Sequence, residues 1–125
     1  IMAYKDNITD YGFGQLGSVF LDINNTQIKP PTGKVFVAIT FISDTVLDNS
    51  GGLVADTEYT GVEFIGTEAA AHDAGAGSET GVTGSQGQVI DNSNVFPRGL
   101  TIYGRWTAIR IKTGENGILI AYIGD

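Results

Sequence analysis

Lys34–Ser43, KVFVAITFIS, places the tightest limit on what this chain can become. In an extended strand successive side chains point to opposite faces. Here Val35, Val37, Ile39 and Phe41 would line one face, and Phe36, Ala38 and Ile42 the other. A strand apolar on both faces, and rich in β-branched residues, needs cover on both sides. The stretch is therefore expected at the centre of a sheet.

The flanking sequence supplies further short strands and firm turns. Val19, Leu21 and Ile23 alternate with Phe20, Asp22 and Asn24, the period of a half-buried strand. Ile28 resumes pairing before Pro30–Pro31 stops it, since proline has no N–H for a ladder. Asp48–Gly52, DNSGG, turns the chain, because Asn and Gly accept positive φ at little cost. Leu53–Thr67 reads as one or two strands with Val62 and Phe64 inward and Glu63 outward. Leu100–Lys112 and Ile118–Ile123 read as a hairpin closed by Thr113–Gly117, TGENG. Leu100, Ile102 and Trp106 fall on one face of the first strand, whereas Ile109 and Ile111 fall on the other. A bulge near Gly104 or Thr107–Ala108 would reunite them. The last strand, apolar in both phases, is expected to be covered on both sides.

Two stretches stand apart. Residues 1–17 set Tyr4, Tyr11, Phe13 and Leu16 among glycines and read as an irregular N-terminal arm. Residues 66–94 form a long glycine-rich acidic loop, in which any helix over Thr67–Ala74 would be too short to stand alone. A loop of that length in a compact domain calls for a role, such as ordering against a neighbouring subunit. With no amphipathic helix and a turn signal every few residues, residues 1–125 are expected to form one all-β domain. An antiparallel β-sandwich or barrel fits the pattern, jelly-roll topology included.

Charge narrows the function. The net charge is −7, distributed as −5 over residues 1–65, −4 over 66–94 and +2 over 95–125. Such a chain is poorly suited to nucleic acid, whose binding rests on phosphate neutralisation by Lys and Arg. A basic C-terminal third can instead meet an acidic surface on another copy. No apolar run reaches the ~18 residues of a membrane span, so no membrane partner is expected.

The residues also argue against catalysis and cofactors. There is no cysteine, and His72 is the only histidine, so neither a zinc site nor a nucleophile–base pair has its parts. Gly12–Val19, GFGQLGSV, matches a kinase glycine-rich loop. Yet Thr40 stands where the phosphate-pairing lysine of that family should follow, and a Rossmann loop would open a helix rather than a strand. Asp44, Asp48, Asp56 and Glu58 lack calcium-loop spacing and read as solvated edge carboxylates. A hydrolytic pair such as Glu58 with Glu63 or Asp56 has no motif behind it.

Phe96–Trp106, FPRGLTIYGRW, gathers aromatics and arginines, the residue types that dominate interface hot spots. Trp106 is expected to anchor the core. Candidate subunit contacts are Phe96, Arg98, Tyr103 and Arg105, joined by Tyr11 and Phe13 of the arm. Tyr11–Gly17, YGFGQLG, with Val95–Trp106, VFPRGLTIYGRW, and the terminal ILIAYIG, resembles small β-rich virion proteins of tailed bacteriophages. Within that group the chain is most similar to head decoration or cement proteins. The resemblance implies a non-enzymatic subunit without cofactors, located on the capsid surface. It would bind the major capsid protein or other virion proteins, often as a symmetric oligomer and commonly a trimer. The alternative is a carbohydrate- or receptor-binding β-sandwich on a phage tail or a cell surface.

Overall fold

The structure is a computed structural model and describes residues 16–56, 64–68 and 89–125. These residues form an all-β, antiparallel fold without a helix. The strands are β1 (Ser18–Leu21), β2 (Gln27–Ile28), β3 (Val35–Phe41), β4 (Thr45–Val46), β5 (Leu53–Ala55), β6 (Val95–Phe96), β7 (Thr101–Arg110) and β8 (Leu119–Gly124). The main sheet runs β1-β8-β3-β7-β2, and β5 also pairs with β7. It curls into a half-barrel, and β4 with β6 makes a separate two-stranded layer.

As its two apolar faces require, β3 lies at the centre, antiparallel to both β7 and β8. That position overturns the expected C-terminal hairpin. β7 and β8 do not pair; β3 lies between them, so they run parallel to each other. The cause is where the chain goes after β7. Ile111 bridges to Leu47, and the Lys112 N–H donates to the Val46 carbonyl at 2.9 Å. The turn residues that follow thus leave the sheet beside β4 and return on the far side of β3.

β2 and β3 run along the same flank of β7, from Gln27↔Arg110 to Thr40↔Thr101, because β5 occupies the other flank at Trp106 and Ile109. Lys29–Lys34 with its two prolines is therefore an excursion within one strand line. The end of that excursion is the turn at Gly33.

Irregularities in register set the faces. A shift between Phe36 and Ala38 puts one extra residue, Val37, in β3 against β8. Phe36 thereby joins Ile39 and Phe41 in the core instead of facing away from them, as strict alternation would require. β7 carries its own extra residues, one between Tyr103 and Trp106 against β3, and Thr107 against β5. Both expected bulge positions are thus used, and Ile102, Trp106, Ile109 and Ile111 share the core. Leu100 is not with them; it is exposed at the sheet end.

The core fills the inside of the curl, with Leu21, Phe36, Ile39, Phe41, Leu53, Trp106, Ile109, Leu119 and Ile123 from the sheet. Leu47 and Phe96 close it from the second layer, the Phe96 ring stacked on Phe41 with centroids 4.7 Å apart. The other face is only half-covered. Thr40, Ile120 and Tyr122 keep partial exposure, so β3 and β8 are not sandwiched as their composition suggested.

Phe64 packs against the core as expected, whereas Val62 and Glu63 lie outside the described residues. The described ends of the 66–94 stretch are tied down. The Thr67 N–H donates to the Leu53 carbonyl at 2.8 Å, and that of Ile90 to Gly66 at 2.9 Å. Glu68 Oε1 accepts the Gly51 N–H at 2.6 Å. The remainder of that loop, residues 69–74 of the short-helix reading included, lies outside the described residues.

The turn into β5 leaves no room for a side chain. A Cβ on Gly52 would lie 1.9 Å from the Asp48 carbonyl oxygen. Gly52→Ala is expected to destabilise the fold by at least ~1–3 kcal/mol, the usual cost of forcing atoms into a packed site. Urea titration checks this, and an unchanged midpoint would contradict the turn geometry.

Candidate functional site

The aromatic and arginine cluster around β7 divides into parts with different fates. Trp106 is fully buried, and its Nε1–H donates to the Ile65 carbonyl at 2.7 Å. Gly104 is its seat: a Cβ there would come within 2.7 Å of the indole. The bulge that brings Trp106 inward and the glycine that admits its ring are therefore one device.

Two expected subunit contacts are committed within the chain. Phe96 is a core residue, because pairing of β6 with β4 turns its ring onto Phe41. Arg105 is largely covered and pairs through Nε with Asp56 Oδ2 at 3.1 Å. Its Nη1 also donates to the Asp125 carbonyl at 3.0 Å. Arg98 is exposed, with its backbone N–H held by Asp44 Oδ1 at 2.8 Å. Tyr103 is 64% exposed. Tyr11 and Phe13 lie outside the described residues.

Register shows what surrounds Tyr103. One row across the outer face runs Ser18, Tyr122, Ala38, Tyr103, and the next runs Phe20, Ile120, Thr40, Thr101. Thr40 and Thr101 join hydroxyl to hydroxyl at 2.8 Å, which satisfies both on a half-buried surface. Phe20 is 60% exposed, and Ile42 continues the face towards the sheet end. Across four strands these two rows carry no charged side chain, although the chain as a whole has a net charge of −7. An uncharged face with protruding aromatic rings is the composition of an interface centre.

Sequence reading found Tyr103 and missed Phe20, Ile120 and Tyr122. The signal for Phe20 was present: it is out of phase with Val19 and Leu21, which face the core. Ile120 and Tyr122 gave none, because β8 is apolar in both phases.

A groove of about 430 Å³ opens between the excursion before β3 and strands β5 and β7, lined in part by Lys34, Val54, Asp56, Arg105 and Thr107. Its charges are matched internally. Arg105 meets Asp56, and Lys34 forms an ion pair with Asp125. Most of the carboxylates weighed as calcium ligands are also occupied: Asp44 caps the Arg98 amide, Asp48 pairs with Arg110 at 3.4 Å and Asp56 with Arg105. Glu58 lies outside the described residues. Among the described residues no cluster of three or more His, Cys, Asp or Glu side chains could hold a metal. Asp91 has its carboxyl held below the usual range by the Ser93 hydroxyl and then by the Ser93 amide, which makes it a turn-closing acceptor.

Comparison with protein-family models, curated proteins and solved structures finds no match to this chain.

Truncating Trp106 removes a large core side chain and leaves the Ile65 carbonyl without its donor. Trp106→Ala should lower stability by ~3–5 kcal/mol in denaturant titration. A loss below about 1 kcal/mol would be that of a surface substitution and would contradict its place in the core.

Proposed function

We propose that this protein is a non-enzymatic structural subunit whose working surface is the outer face of its sheet. In this reading it serves on a bacteriophage virion as a head decoration or cement protein, with the major capsid protein as its partner. The observation that carries the reading is the uncharged, aromatic-studded face spanning β1, β8, β3 and β7. The largest apolar patch on a typical monomer covers about 300–600 Å² and is often functional. Resemblance of the two ends of the chain to phage virion proteins supports the particular setting.

Physical economy supports it as well. A half-barrel is stiff, so docking a preformed sheet face costs little conformational entropy. A net charge of −7 disfavours promiscuous contact, and Arg98 is an exposed cation in the turn held by Asp44.

Co-sedimentation with assembled heads of the encoding phage tests the proposal. The wild-type chain should pellet with heads. Tyr103→Glu, which puts a charge on the exposed ring position at the β7 end of the face, should weaken binding by about tenfold or more. No binding by the wild-type chain would overturn the reading. Glycan binding that is abolished by Tyr103→Ala with the fold retained would replace it with the carbohydrate-binding alternative.

A further inference from the structure

The edges of the main sheet are treated unequally. Along β5, Leu53 is engaged on its outer side by Thr67, whose N–H and hydroxyl meet its carbonyl and amide. β2 is two residues long and runs into Lys29–Pro30–Pro31, a charge and two prolines that block further pairing. Among the described residues β1 has no such protection. Ser18–Leu21, SVFL, holds no charge and no proline, and among the described residues it pairs only with β8.

Which groups the β1 edge offers follows from its register. The Ile123 N–H donates to the Gly17 carbonyl, so Gly17, Val19 and Leu21 bond towards β8. By the alternation of an antiparallel ladder, the N–H and C=O of Ser18 and Phe20 then point away from the sheet. We propose that β1 pairs edge to edge with β1 of a second copy, antiparallel about a two-fold axis, with Ser18 opposite Phe20 of the other copy and the two Val19 residues facing each other on the axis.

Several features select a second copy as the occupant. An edge whose two outward residues are two apart is complete when paired with itself in reverse: each Ser18–Phe20 pair exchanges both bonds, giving four in all. The small Ser18 side chain leaves space on the outer face for the opposing Phe20 ring. Asp22 is carried beyond the ladder, so a chain of net charge −7 meets its copy without opposing two carboxylates. A head-to-tail contact would need β1 to join a different edge, and of the other main-sheet edges β2 is short and followed by two prolines and β5 is engaged at Leu53 by Thr67. Self-pairing therefore gives a closed two-fold dimer rather than a threefold ring.

A four-residue edge buries much less than the roughly 800 Å² per partner of a standard interface. The pair is accordingly weak in solution and is strengthened wherever copies are held close together. The inference does not depend on what the outer face docks to, and it stands or falls on the isolated chain.

Amide hydrogen exchange on the full chain tests it. Protection of the Ser18 and Phe20 amides should rise with protein concentration, by about tenfold or more between dilute and ~1 mM samples. Phe20→Lys, with its fold verified by Trp106 fluorescence, should abolish the rise. Because the chain has no native cysteine, Val19→Cys should also yield a disulfide dimer on mild oxidation, faster than the exposed turn variant Thr113→Cys. Unprotected Ser18 and Phe20 amides in an oligomeric sample would overturn the edge pairing while leaving docking by the outer face intact. Concentration-independent protection, the mark of pairing within one chain, would overturn it equally.

Discussion

The double pairing of β3 is the constraint on which the rest of the structure depends. Its ladders to β7 and β8 hold the sheet together, and its inward residues Phe36, Ile39 and Phe41 form the middle of the core. Because β3 separates β7 from β8, the chain after β7 must cross the end of the sheet. That crossing brings Ile111 to Leu47 and Gly117 against Thr45, which is itself buried. The small β4–β6 layer closes the core there, through the Phe41–Phe96 stack.

The second organising device is the set of bulges opposite one another on β3 and β7. An extra residue reverses which face the following side chains take. Without it, Phe36 and Trp106 could not both share the interior with Ile39 and Ile109. The bulges also curl the sheet, since a bulged strand bends and twists more strongly than a regular one. Ion pairs add little by comparison. Lys34–Asp125 lies on the surface, where such pairs contribute ~0–1 kcal/mol.

Much of the fold was legible in the sequence because it rests on local pattern. The all-β class, the centrality of β3, the turn at DNSGG, the burial of Trp106 and the bulging of β7 follow from periodicity and from glycine and proline chemistry. The false hairpin shows where that reasoning ends. TGENG between two apolar strands has the sequence of a hairpin turn, and only the long-range competition of β3 for both partners decides otherwise. Phe96 and Arg105 illustrate the same limit at the site. Their residue types fit a contact surface, but a stacked ring on Phe41 and a carboxylate at Asp56 lie far away in sequence. The outer face was harder still, since it is written across four strands and exists only once their register is known.

A sheet curled around a single core leaves its other side outside that core, and here two rows of that side carry aromatic rings and hydroxyls but no charge. The register of β3 is what assembles the face, so it is the point to test. Interstrand nuclear Overhauser effects in the labelled protein give the most direct reading. The account predicts contacts from Thr40 to both Ile120 and Thr101, and none between the backbones of β7 and β8. A direct β7–β8 ladder with Thr40 remote from one of those partners would contradict it.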